Sequence, residues 1–308
     1  MTVNPILAFS ARRRMRSART AVLLTAYALA VLLFGLATSF GAFLQDSISI
    51  FTMTSGQQGY ASMMMFQFFL LLLVTPAMTA GSVSGERERQ TLDLLLVTNT
   101  GSLRIVLGKL LECLGLMALL VAATLPVMCL ALITGSMTMA QVLVGLLFLA
   151  ITAFAMLSVG MLCSALLRRT VTATVVSYLT VFLIGLVTLL PLISDTARVG
   201  RMYETMYSSS YSGPVIGFTE ETAGSVRMVS FVLNPALGLL ALIISQTGLM
   251  KDFLGNFSYT LNETMALMDF TGMAWGCMGF MATAGVALNL LAACFVRPRS
   301  MRKGSKKA

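Results

Sequence analysis

Histidine is absent from this sequence and charge is scarce: only 11% of the 308 residues are Asp, Glu, Lys or Arg, less than half the roughly 25% of a soluble globular chain. Five cysteines, Cys113, Cys129, Cys163, Cys277 and Cys294, all lie inside apolar runs, with no CxxC and no paired spacing. Without histidine to complete a ligand set, they read as small hydrophobes, and zinc or disulfide frameworks fall away. The long apolar runs also lack any Asp, Glu, Lys or Arg. A proton- or sodium-coupled carrier needs a titratable or ion-binding group at mid-depth, so this absence disfavours a secondary transporter.

What is there is apolar: 57% of residues are hydrophobic and the mean hydropathy is +0.87. Uncharged runs of about 20 residues or more, apolar on every side, predict an all-α polytopic membrane protein. Barrel strands would be about 10 residues long with alternating polarity. The first apolar run is too long for a signal-peptide core and is not followed by a small-x-small cleavage site, so it is expected to remain as a helix.

Six transmembrane helices are expected within a membrane domain at 20–296: 20–45, 60–80, 102–134, 139–167, 170–194 and 270–296. Ahead of them, 1–19 opens with Asn4 as a cap and Pro5 at a first helical position, then carries Arg12, Arg13, Arg14, Arg16 and Arg19. It reads as a basic amphipathic helix at the membrane surface or as a disordered topogenic tail. Residues 195–269 form an outer loop whose apolar stretch, 228–250, is broken by Asn234-Pro235 and reads as a re-entrant or interfacial hairpin. The chain closes with a basic tail at 297–308. With six crossings and both termini cytoplasmic, all of the 21 Lys and Arg fall inside except Arg198, Arg201, Arg227 and Lys251, as the positive-inside rule requires. A seventh crossing at 228–250 would put the basic tail outside.

The stretch 81–109, GSVSGERERQTLDLLLVTNTGSLRIVLGK, is a polar connector between two apolar runs. Ser84 is placed to cap a helix over 84–98, with Glu86 and Glu88 in its first turn against the positive end of the dipole. Arg87, Thr91 and Asp93 complete a polar front, and Leu92, Leu95 and Leu96 form an apolar back at spacings of three and four. Such a helix suits a groove on a soluble partner; a solvated loop with lipid-facing leucines is the plainer reading. Glu112 is positioned to pair with Arg104 or Lys109.

Gly85, Glu86, Arg87, Glu88, Thr91, Leu92, Asp93, Leu95, Leu96, Gly108 and Lys109 together resemble the pattern of ABC-2 type permeases, the membrane subunits of ATP-binding-cassette exporters. Asn4-Pro5-Ile6-Leu7 resembles the start of the elbow helix in that family, and Leu233-Asn234-Pro235 its outer segment before the last span. The chain departs at Gln90, where Gly is common, and at Asn99, where Pro often stands. The resemblance implies a dimer of permease units, identical or homologous, in the prokaryotic cytoplasmic membrane, working with two cytoplasmic ATPase subunits. It implies that Glu86, Arg87 and Glu88 contact the ATPase, that Thr91 and Asp93 hold the helix, and that Leu92, Leu95 and Leu96 seat it. Asn4, Pro5, Arg12, Arg13 and Arg16 would serve the elbow helix.

The chain itself is not expected to be an enzyme. Gly108-Lys109 is no phosphate loop, since Leu103 stands where its first Gly belongs and Leu110 where Ser or Thr would meet magnesium. ATP and Mg²⁺ would be bound by the partner, and no metal site, cofactor or nucleic-acid partner is expected in this chain. Candidate pathway residues are the uncharged polar groups within the spans: Gln67, Thr75, Gln141, Ser177, Thr180 and Asn289, each equally suited to helix packing. The function so read is an exporter permease moving an amphipathic or hydrophobic substrate such as a drug, peptide or lipid. The alternatives are a non-transporting anchor or sensor that recruits a soluble protein, excluded by reconstituted transport, and an ion-coupled carrier, which would run without nucleotide.

Overall fold

The computed structural model describes residues 18–45, 53–88, 90, 102–133, 137–208, 229–247 and 269–296. The elements, in order, are α1 (Ala18–Gln45), α2 (Met53–Thr79), α3 (Gly81–Glu88), α4 (Ser102–Ala123), α5 (Leu125–Ile133), α6 (Met139–Leu166), α7 (Thr170–Ser208), α8 (Pro235–Thr247) and α9 (Phe270–Val296). Helices are what such apolar runs must form, because hydrocarbon offers no partner for backbone N–H and C=O groups. Among the described residues five helices are long and apolar enough to cross a membrane, and the apolar stretches Leu24–Thr38 and Pro235–Thr247 are shorter. The chain is thus an all-α polytopic membrane protein with about five apolar spans.

Several expected boundaries move. The second helix begins at Met53, inside the expected loop, and the run from Gly56 to Glu88 continues as one apolar-to-polar helical stretch. The expected third span divides at Thr124, two residues before Pro126, into α4 and α5. Proline has no N–H to donate, and a turn closed by Thr124 N–H to Val121 O (3.1 Å) replaces helical pairing there. At its far end α7 runs to Ser208, past the predicted limit of 194. Its 39 residues make about 58 Å of helix, roughly twice the hydrocarbon thickness.

The described residues divide into two compact units. One belongs to Met1–Leu179 and Ala282–Ala308, the other to Thr180–Met281. In the first, α6 is the central helix: α2 packs most extensively against it, and α3 and α4 also lie on it. Close approach of α2 to α6 depends on two glycines. A Cβ at Gly145 would meet the flexible end of Met64 and the Tyr60 hydroxyl, whereas one at Gly160 would lie 1.9 Å from Thr79 Oγ1 and 3.0 Å from its Cβ. Phe34 of α1 stacks on Phe66 of α2 with ring centroids 4.1 Å apart.

In the second unit Phe231, Leu237, Ala241, Phe270 and Met273 form an apolar cluster. Asn234 organises the start of α8: its Oδ1 accepts from Ala236 N–H (2.9 Å) and Leu237 N–H (3.4 Å), and its Nδ2 donates to Gly185 O (3.1 Å). Pro235 at the first helical position sacrifices no bond there. Asp269 caps α9 in the same way, its Oδ1 accepting from Gly272 N–H (3.0 Å) and from the Thr271 hydroxyl. These bonds, the Thr271 hydroxyl first, hold its carboxyl below the ordinary carboxylate range.

Two outcomes follow from these contacts. Gly160→Ala should lower stability by about 1–3 kcal/mol, the cost of overpacking, because Thr79 has no flexible end to withdraw. Gly145→Ala should cost less, and thermal unfolding in detergent compares them. Asp269, with its folded pKa lowered, stabilises above its unfolded value of about 4 and loses that contribution as pH falls through the folded value. The difference in melting temperature between the wild type and Asp269→Ala should therefore be full near neutral pH and shrink below about pH 4.

Candidate functional site

The polar connector emerges directly from α2. Ala80 interrupts the helix, its N–H still donating to Pro76 O at 3.0 Å, and α3 starts at the next residue. A new helix start leaves backbone N–H groups without intrahelical acceptors. Here Ser164 of α6 takes two of them: its Oγ accepts from Val83 N–H (2.9 Å) and Ser84 N–H (3.0 Å). Ser82, Val83, Ser84 and Ser164 are all buried, so α3 is pinned to α6 by a polar joint shielded from water. One turn before Pro76, Leu73 O accepts the Tyr178 hydroxyl at 2.5 Å.

This geometry corrects the expected cap. Ser84 lies inside α3 and donates its hydroxyl back to Ala80 O at 2.6 Å; it does not begin a helix. Glu86 and Glu88 accordingly sit at the C-terminal end of α3, away from the N-terminal dipole that was expected to favour them.

Glu86, Arg87 and Glu88 each reach a different helix. Glu86 Oε1 lies 2.6 Å from Lys109 Nζ on α4. Glu88 Oε2 accepts from the Thr170 hydroxyl (2.8 Å) and the Thr170 N–H (3.2 Å), at the start of α7. An anionic oxygen at a helix N-terminus satisfies an orphan donor and meets the positive end of the dipole. Arg87 Nη2 donates to Phe295 O at 3.5 Å, in the last turn of α9, where a cation is favoured. A Cβ at Gly85 would meet Thr170 Cγ2 at 3.4 Å, an ordinary contact distance, so α3 lies close against α7 here. Lys109, expected to be one partner for Glu112, carries the ion pair that joins α3 to α4.

Beyond Glu88 the chain turns at Gln90, whose φ of 58° is in the left-handed region and whose N–H donates to Arg87 O at 3.1 Å. That conformation favours glycine, so the residue that stood out as a departure in the sequence occupies a backbone geometry suited to the commoner Gly. Thr91, Leu92, Asp93, Leu95 and Leu96, and with them most of the expected helix at 84–98, lie outside the described residues. So do Asn4, Pro5, Arg12, Arg13 and Arg16.

The candidate pathway residues are distributed among helix contacts. Gln67 Nε2 donates to Thr124 Oγ1 at 2.7 Å, tying α2 to the α4–α5 break. Asn289 Nδ2 donates to Ser158 Oγ at 2.7 Å, tying α9 to α6. Ser177 is buried and donates to Ala173 O on its own helix at 2.7 Å, Thr75 is buried on α2, and Thr180 is half-buried on α7. Gln141, in the third position of the span Met139–Leu166, completes a capping box with Thr138 at the start of α6. Sequence reasoning missed Ser164 and Thr170, which flank Arg168-Arg169; the signal available was a short hydroxyl side chain on either side of a tight basic turn. Among the described residues no His, Cys, Asp or Glu group of metal-ligating size assembles.

Residues 44–290 match a family described as ABC-2 family transporter protein. No curated protein matches the chain.

Loss of the Ser164 hydroxyl would leave two buried donors unmatched, each at about 1–3 kcal/mol. Ser164→Ala should therefore destabilise the first unit by roughly 2–4 kcal/mol, while Ser84→Ala, which removes only a bond to its own helix, should cost about 1 kcal/mol or less. Thermal unfolding of both variants in detergent checks the order.

Proposed function

The chain belongs to the ABC-2 transporter family, and from that premise we propose that it is the permease subunit of an exporter powered by a separate ATPase subunit. Proteins of this family are non-catalytic membrane permeases, so hydrolysis falls to the partner, which would bind ATP and Mg²⁺. The observation that carries the reading is the family match across 44–290, supported by a connector fastened to four helices. Ser164, Lys109, Thr170 and Phe295 hold α3 against α6, α4, α7 and α9. A segment so fastened can pass a push from outside the membrane into several spans together.

In this reading the ATPase docks on the stretch beyond Gln90, where Thr91 and Asp93 provide polar contacts and Leu92, Leu95 and Leu96 seat the segment on the membrane. The connector, the Arg168-Arg169 turn and both termini are cytoplasmic, in accord with the placement of Lys and Arg. Six helices cross the membrane. The 13 residues of α8 span about 20 Å, short of the roughly 30 Å hydrocarbon core, which supports a re-entrant segment over a seventh crossing. Two permease units, identical or homologous, pair with two ATPase subunits, and the cargo is amphipathic or hydrophobic.

Coexpression with the cognate ATPase subunit should yield a complex that hydrolyses ATP. In proteoliposomes it should move a fluorescent phospholipid or a rhodamine dye only when ATP is present. A complex that hydrolyses ATP yet moves neither of these nor an amphipathic peptide would favour the anchor reading. A C-terminal reporter active only outside the cell would overturn the six-span topology.

A further inference from the structure

The three charged side chains of the motif were expected to face the ATPase, yet each is bonded within the chain. Glu86 and Lys109 are 20% and 29% exposed at a separation of 2.6 Å, too covered and too close for either to be a freely offered surface charge. Glu88 delivers one oxygen to both the N–H and the hydroxyl of Thr170, and Arg87 addresses a main-chain carbonyl at the end of α9. The opposite end of α3 is held by Ser164. The eight residues of α3 make a rod of about 12 Å, fixed at its start to one helix and at its end to three others.

We propose that Glu86, Arg87 and Glu88 are positioning residues for transport that act inward: they fasten the end of α3 to α4, α9 and α7, so that displacement of the connector moves these helices together. Contact with the ATPase is then made by the residues that follow Gln90. The proposal rests on the permease reading and assigns the motif a role within that reading. Its chemistry separates it from a docking role. An inward ion pair tolerates exchange of its two charges, and an inward acceptor tolerates replacement by a neutral acceptor, whereas a charge matched to a partner protein tolerates neither.

The test uses the full permease–ATPase complex in nanodiscs, with spin labels at Leu103→Cys on α4 and Val171→Cys on α7, both exposed positions, after Cys129→Ser and Cys294→Ser remove the exposed thiols. The readouts are the distance change on adding ATP and the amount of ATPase subunit that copurifies. E86K and K109E alone should each abolish the ATP-driven change while retaining the ATPase within about twofold, and the E86K/K109E exchange should restore it. Glu88→Gln, which keeps an acceptor for Thr170, should behave as wild type, whereas Glu88→Leu should behave as E86K. These two variants decide the matter if the single charge reversals fail to fold. A tenfold loss of copurifying ATPase in E86K that the exchange does not repair overturns the proposal, as does equal behaviour of Glu88→Gln and Glu88→Leu. Failure of the wild type to retain any ATPase subunit is a separate result: it overturns the permease reading itself and the proposal with it.

Discussion

The first unit depends on a hydroxyl group. A helix that stops at Ala80 and restarts one residue later exposes N–H groups in a buried place, and Ser164 supplies the oxygen that accepts two of them. Without that oxygen the restart would carry unmatched donors away from water, a cost comparable with a substantial part of a domain's net stability. Given the oxygen, α3 lies against α6, and Glu86, Arg87 and Glu88 come within reach of α4, α9 and α7. The position of α6 is set in turn by Gly145 and Gly160, which let α2 approach it closely.

The arrangement combines apolar packing with a few directed bonds. Within hydrocarbon, apolar side chains discriminate poorly between neighbours, because lipid tails are as apolar as leucine. Pairs such as Gln67 with Thr124 and Asn289 with Ser158 choose among packings that dispersion alone would leave nearly equivalent. At the polar edge the same task passes to charges and helix termini, which have direction and sign. The motif is thus the charged counterpart of the buried amide and hydroxyl pairs deeper in the unit.

How much of this could be read from the sequence varies with the range of the contact. Span-length helices were legible at 139–167 and 270–296 because composition alone requires them. Asn234-Pro235 was legible as a break in 228–250, and in the structure that break is the start of α8, with Asn234 as its cap. The division at Thr124 was half visible in Pro126. Ser84 misled because a Ser before acidic residues is a good cap signal, and nothing nearby in the sequence indicates that Ser164, 80 residues later, supplies the acceptor. Glu86 and Glu88 read as part of a charged front, and nothing local to them announces Lys109 or Thr170 as partners, because those contacts exist only once the fold brings α4 and α7 to α3.

Gln90 gives this joint a mechanical character. A residue with a side chain in the left-handed region carries roughly 1–2 kcal/mol of local strain, yet it has fewer unfolded conformations available than glycine. A glycine at the same place would make a loose swivel between α3 and the chain beyond it. Glutamine makes a stiffer elbow, whose bond to Arg87 O closes the turn onto the residue that also reaches α9. In the proposed coupling, stiffness at that point would govern how much of a push from the ATPase is absorbed as bending and how much arrives at the membrane as movement.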